Sequence, residues 1–422
     1  MKQPFLLPLL LGAALLGQHT QAADSTQSLL RIVNCDAEIK SPKRGVCANK
    51  LDPADFEALA PGVSWYYSWF YEETLKQPAK AKIEFLPMVW GDDEKRLSGL
   101  RSYLSKGNRP RAVLAINEPN LKDQAFITPE KTATLYTKIK AIADQYHLPT
   151  VGPHMAIGSP TGASITAMDP LEKKSVTYGF MVPFLRAFLH YTDASKTEVS
   201  AIGVHSYGNI GELKWVVEMN YKEFHRPVWV TEYAWWGAPD LAAASKYLIE
   251  ATDFLENNPH VAGYAWFKER AKDNPKISLL EQKAGELSPL GKAYVGMPVH
   301  DSNTFYKLPG RLVAGRYASS TDMHLKPTKD SGAYLQLEAD GDGATADYNF
   351  STTSARSYQV TLRALGRTGA KIDFFSGTNS LGTATLQKDG WQEVETKLAF
   401  PAGNQTIRIK TSLLALTWME FK

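Results

Sequence analysis

The sequence predicts an α/β protein, a (β/α)8 TIM barrel followed by a C-terminal all-β jelly-roll sandwich. Three observations carry this. Between residues 44 and 267, short apolar segments alternate with amphipathic helical ones, and eight segments read as strands. Two of these segments, 112–116 and 228–233, run apolar and then deliver Glu118 and Glu232 at their C-terminal ends. After Pro298 the pattern changes to short alternating strands separated by turn dipeptides such as Asp340-Gly341 and Asp389-Gly390.

Residues 1–22 have the form of a secretory signal. Lys2 opens it, an apolar run covers 5–16, and Thr20-Gln21-Ala22 offers a small-residue cleavage site. The run is short for a membrane span, so the expectation is an exported protein, periplasmic or extracellular, free of the membrane after cleavage. Residues 23–43 read as a polar N-terminal extension.

The barrel domain is expected over 44–297, with strands at 44–49, 62–69, 83–90, 112–116, 150–155, 201–207, 228–233 and 261–267. Pro87 marks an end or a bulge in the third strand, since proline cannot donate to a ladder. Pro119 should stop the fourth. Helices are expected at 52–59, 92–106, 128–146, 178–191, 211–224 and 240–257; Asp52 is a candidate N-cap, and Pro53 and Pro129 suit first turns. The span of about 250 residues is the usual size of such a barrel. Residues 288–303 form the expected junction, and 303–422 the sandwich, with strands at 334–337, 345–350, 358–365, 371–375, 393–400, 405–410 and 416–421.

Composition excludes some partners. The formal charge is +3, and Lys2 is the only charged side chain in 1–22, so the mature chain would carry +2. That leaves no electrostatic case for nucleic acid. The 10 Trp and 19 Tyr hint at sugar-stacking surfaces, so the expected partner is a polysaccharide, and the chain is expected to act as a monomer. Cys35 and Cys47 are the only cysteines. In an exported protein they are a disulfide candidate that would pin the extension to the barrel; two buried free thiols is the alternative. Their spacing is not that of a metal site, and neither metal nor cofactor is expected.

Two acids at one end of a barrel suit glycosidic bond cleavage. One carboxylic acid protonates the departing oxygen, and a second carboxylate attacks or activates water. Asn117 is placed to hydrogen-bond a sugar hydroxyl. Tyr207 is a candidate donor to Glu232, and His205 is placed either to orient a glutamate or to sit in the core. Trp65, Trp90, Trp235 and Trp266 are candidate sugar-stacking surfaces, with Trp235 and Trp266 favoured; Trp69 and Trp236 read as packing.

The blocks RGVCAN (44–49), VSWYYSW (63–69), FLPMVWG (85–91), INEPN (116–120), GSP (158–160), VHSYG (204–208) and WVTEYA (229–234) resemble, in order, those of glycoside hydrolase family 128. NEP and TE alone resemble the wider clan A. The resemblance implies a retaining endo-β-1,3-glucanase without a cofactor, with Glu118 as acid/base and Glu232 as nucleophile. Where the family has His-Trp-Tyr, this chain has His205-Ser206-Tyr207, which implies a changed sugar subsite. Residues 303–422 resemble family 6 carbohydrate-binding modules, but the binding positions are altered to Val313, Gly315, Val394 and Ala415. That implies the fold, with a degenerate or relocated sugar site or a packing role, and Trp391 and Trp418 in the core. Two alternatives share the sequence features: a hydrolase of another β-linked polysaccharide, such as an exopolysaccharide or mixed-linkage glucan, and a non-catalytic glycan-binding protein.

Overall fold

The computed structural model describes residues 30–158, 163–331 and 333–422. The signal segment 1–22, the extension as far as residue 29, and Ser159-Pro160 of the GSP block lie outside the described residues.

Eight parallel strands form the barrel: Arg44–Cys47, Trp65–Tyr67, a divided third strand (Glu84–Phe85 and Met88–Val89), Val113–Ala115, Thr150–Met155, Ala201–Ser206, Val228–Tyr233 and Val261–Trp266. The sheet path begins on Glu84–Phe85 and ends on Met88–Val89. The sheet therefore closes on itself through one segment broken at Pro87. Leu86 N donates to Tyr66 O on one side, and Pro87 O accepts from Leu114 N on the other, each at 2.9 Å. Proline has no N–H to lose at this switch of partner.

Side chains alternate between two layers. Cys47, Trp65, Tyr67, Met88, Leu114, Val151 and Trp229 fill the barrel interior. Tyr66, Val113, Ile202, Val230, Tyr264 and Trp266 face the helices. Glycines make room for the large interior indoles. A Cβ on Gly45 would lie 2.4 Å from the Trp65 ring, and one on Gly263 2.5 Å from Trp229. The two indoles meet with centroids 5.5 Å apart. This packed floor holds the catalytic end rigid.

Seven α-helices surround the described barrel: α1 (Pro53–Leu59), α2 (Glu94–Ser105), α3 (Pro129–Asp144), α4 (Met181–Ala194), α5 (Ile210–Phe224), α6 (Leu241–Asn257) and α7 (Pro289–Gly296). Their starts follow local chemistry. Asp52 N donates to Asp55 Oδ2 at 2.9 Å, ahead of Pro53. Thr128, Asn209 and Asp240 each accept a backbone N–H from the first turn. The expected strict alternation fails once. Residues 68–82, between the second and third strands, hold no helix, and Pro78 interrupts the stretch. Among the described residues no helix is long and apolar enough to cross a membrane.

The C-terminal region is a sandwich of two sheets. One runs through Arg31–Asn34, Thr304–Lys307, Asp342–Thr352, Gly403–Ser412, Lys371–Ser376 and Asn379–Thr385; the other runs through Met323–Pro327, Leu335–Ala339, Ala415–Phe421, Arg356–Gly366 and Gly390–Phe400. Phe350, Tyr358, Phe400 and Phe421 cluster between them. Trp418 is buried beneath the Arg311 guanidinium.

One expectation about the N-terminal extension is corrected, and of the two readings of its cysteine the buried free thiol is the one observed. Residues 31–34 are not a polar lead-in but a strand in parallel register with 304–307, Arg31 opposite Thr304. Cys35 and Cys47 are not bonded to each other. Cys35 Sγ donates to Lys307 O at 3.3 Å in the sandwich, whereas Cys47 lies inside the barrel with Sγ 3.1 Å from Thr231 O. The two thiols belong to different cores. At the opposite end of the barrel from the acids, the buried Arg44 guanidinium donates to Tyr264 Oη and to the carbonyls of Tyr294, Met297 and Pro298, fastening the junction to the first strand.

Candidate active site

Glu118 is aimed by unusual backbone. The fourth strand ends at Ala115; Ile116 and Glu118 then take φ of +64° and +42°, a region L-residues rarely adopt. Neighbouring strands hold the segment there. Ile116 N donates to Val89 O at 2.8 Å, Asn117 N to Trp90 O at 2.8 Å and Glu118 N to His154 O at 2.7 Å. Glu232 is aimed by a bulge. The sixth and seventh strands pair Val204 with Val230 and then His205 with Glu232, leaving Thr231 as an extra residue. The bulge lets Thr231 and Glu232 both turn to the barrel axis.

The acids converge. One oxygen from each of Glu118 and Glu232 and one ring nitrogen of His205 all lie within 4.8 Å of one another, and all three residues are buried. Glu232 Oε1 accepts from Tyr67 Oη at 2.9 Å and from Trp69 Nε1 at 2.8 Å, and Oε2 accepts from Tyr207 Oη. His205 Nδ1 is 2.6 Å from Glu118 Oε1. These hydrogen bonds join the three residues into one proton network.

The surroundings of Glu118 favour its protonated form. Burial pushes the Glu118 carboxyl above the usual carboxylate range; the Glu232 and Asp123 charges push the same way, against the His205 hydrogen bond. Burial, then the Glu232 and Glu118 charges, push the Tyr207 phenol well up. Burial, Cys47 and Glu232 do the same to Tyr67. Both phenols therefore remain protonated donors to Glu232. An acid inclined to keep its proton faces a carboxylate held by three donors, the division that two-carboxylate hydrolysis requires.

The acids line a cleft of about 770 Å³, walled by Trp69, Trp90, Trp236 and Phe267 with Asn117 and Gln124 at one side. Asn117 Nδ2 donates to Gln124 Oε1 at 3.0 Å, while its buried Oδ1 has no protein partner. Glu118, Glu232, Asn117, His205, Tyr207 and Trp90 thus meet at one place. Trp65, Trp235 and Trp266 do not. Trp65 is fully buried in the barrel floor, with Nε1 donating to Lys43 O at 2.9 Å. Trp266 is buried on the helix side, bonded to Ile277 O at 2.7 Å and packed on Tyr233. Trp235 packs toward Tyr247 of α6. None of the three lines the cleft, and Trp65 and Trp266 are too deeply buried to stack on a sugar.

Sequence reasoning missed Tyr67 and Phe267, and its reading of Trp69 and Trp236 as packing is corrected, since both wall the cleft. Strand parity held a signal for two of them. Trp69 lies in step with Trp65 and Tyr67, and Phe267 lies in step with Gly263 and Ala265, small residues that mark the crowded interior face. The same parity removes the concern over Ser206. Its hydroxyl donates to Glu212 Oε1 at 3.0 Å on the helix side, so a tryptophan there would face α5 and not the cleft.

A family model described as the glycosyl hydrolase catalytic core matches residues 45–294. The crystal structure of a family 128, subgroup II, endo-β-1,3-glucanase from Sorangium cellulosum is 30% identical; the match covers 61% of this chain and 100% of that one, with a TM-score of 0.52. The chain belongs to glycoside hydrolase family 128. A second subgroup II endo-β-1,3-glucanase of the family, from Pseudomonas viridiflava, is also 30% identical, with 61% and 98% covered and a TM-score of 0.51. No curated protein matches. As a glycoside hydrolase of this family, the chain carries both acids on the barrel that the model spans.

Proposed function

We propose that this family 128 hydrolase is an exported, retaining endo-β-1,3-glucanase with Glu118 as acid/base and Glu232 as nucleophile. The spacing of the acids carries the mechanism. One oxygen of each carboxyl group lies within 4.8 Å of one from the other, a close approach that favours the roughly 5–5.5 Å separation of retaining enzymes over the 6.5–9.5 Å that leaves room for an inverting water. The substrate rests on the two relatives, both named endo-β-1,3-glucanases. Export rests on the residue pattern of 1–22.

In the first step Glu118 gives its proton to the glycosidic oxygen. The Glu232 carboxylate bonds to the anomeric carbon, and the carbon–oxygen bond to the leaving sugar breaks. In the second step the Glu118 carboxylate takes a proton from water. The water oxygen bonds to the anomeric carbon, and the ester to Glu232 breaks. Two inversions leave the configuration unchanged. Tyr67, Trp69 and Tyr207 fix the plane of the Glu232 carboxylate for attack.

The test is incubation with laminarin, a mixed-linkage β-glucan and cellulose, with new reducing ends followed by proton NMR. The expected result is internal cleavage of laminarin with the β-anomer appearing first. An α-anomer appearing first would overturn retention, and release from another glycan alone would overturn the substrate.

The cleft walls should separate from the core in the same assay. Trp236 is 43% exposed at the cleft, so Trp236→Ala should raise KM for laminarin roughly 5–30-fold, the scale of about 1–2 kcal/mol of lost ring contact, with Tm unchanged. Trp266→Ala should instead cost about 3–5 kcal/mol of stability, read by denaturant unfolding.

A further inference from the structure

Beneath the two acids runs a buried polar chain that the steps above do not use. His154 Nε2 lies 3.2 Å from Val151 O, and His154 Nδ1 lies 2.7 Å from Thr231 Oγ1. The same hydroxyl oxygen lies 3.1 Å from His205 Nε2, and His205 Nδ1 lies 2.6 Å from Glu118 Oε1. His154, His205 and Thr231 are all buried to within 1%.

The proton positions follow from which atoms can donate. A carbonyl oxygen only accepts, so His154 carries its hydrogen on Nε2. Burial, together with His205 beside it, pushes the basicity of His154 well down; the ring is neutral and its Nδ1 is a bare acceptor. Thr231 has one hydroxyl hydrogen and gives it to that nitrogen. Only lone pairs of Oγ1 then face His205, so His205 Nε2 must carry a hydrogen. Glu232 Oε1, 3.5 Å from the same nitrogen, favours the same arrangement.

We infer that Thr231 and His154 are positioning residues that lock His205 as its Nε2–H tautomer, so that His205 and Glu118 hold one proton between them and titrate as a unit. The inference rests on the reading of Glu118 as the acid/base. With the tautomer locked, removing that shared proton leaves an imidazole lone pair facing a carboxylate oxygen at 2.6 Å. The pair therefore retains the proton to higher pH than two independent groups. A ring free to adopt the Nδ1–H form would donate to the Glu118 carboxylate and release the proton earlier. The groups that act on the pair from the surrounding elements are Glu232 and Thr231 on the seventh strand, His154 on the fifth, Tyr207 following the sixth, and Asp123 beyond the fourth. Burial opposes charge on His205, but Glu232 and then Glu118 outweigh it and raise its basicity.

Nitrogen-15 NMR of histidine-labelled protein, at a pH where His205 is neutral, reads the tautomer directly and needs no variant that must fold. The expected result is an Nε2–H ring for both His154 and His205; an Nδ1–H ring at His205 overturns the inference. In Thr231→Val the alkaline limb of the kcat/KM profile should fall by about one pH unit, a tenfold loss of proton affinity, while Thr231→Ser keeps it in place. Coincident limbs and unchanged ring shifts in Thr231→Val and Thr231→Ser would also overturn it. Failure of the acid/base reading shows separately, as an active Glu118→Ala; the NMR result does not depend on turnover.

Discussion

Glu232→Ala should abolish laminarin hydrolysis, with kcat falling on the order of 10⁵–10⁶-fold, the scale on which an enzyme loses its nucleophile. Three donors already surround the missing carboxylate, Tyr67, Trp69 and Tyr207. The variant therefore keeps a polar slot open to a small anion. With an activated aryl β-glucoside of the oligosaccharide, azide should enter that slot and form the α-glycosyl azide in a single displacement, the aryl oxide leaving as the azide nitrogen bonds to carbon. Full activity of Glu232→Ala on polysaccharide would end the assignment, as would a β-azide product.

Glu118→Ala should lose about 10²–10⁴-fold on laminarin, the usual contribution of a general acid. Substrates whose leaving groups depart without a proton should lose far less in the first step. Their hydrolysis should stall at the glycosyl–enzyme, because no base remains to activate water. Azide needs no base, so it should restore turnover and give the β-glycosyl azide. Opposite anomers from the two variants would place the acids on opposite faces of the sugar ring. Burial, with the neighbouring Glu232 and Asp123 charges, raises the Glu118 carboxyl, which suits it to the role of proton donor.

Much of this was legible in the chain. A buried strand that ends abruptly in Asn117-Glu118 or Thr231-Glu232 shows its chemistry in one dimension, because rigid strands end where barrel active sites begin. The aromatic walls were harder to read. Strands two and eight carry bulky rings on both faces, so Trp65 and Trp266 read as sugar platforms and Trp69 as packing; the small Gly263 and Ala265, which mark the crowded interior parity, were the signal to the contrary. Thr231 was hidden for another reason. Strict alternation would send it and Glu232 to opposite faces, and the bulge that overrides alternation depends on how the sixth strand pairs with it. Residues 31–34 carry only a weak local signal, the β-branched pair Ile32-Val33, and gain a strand's role from Phe305 and Tyr306 opposite them.

That last pairing has a consequence for how the molecule is made. Cys35 meets Lys307 across 272 positions of sequence, and every barrel strand lies between them. During synthesis the arm at 31–34 emerges first, and its docking site emerges only after the hydrolase has all the residues it needs to close. The arm therefore lacks its partner until residues 304–307 are available, and closing this clasp is a late event in the assembly of the chain.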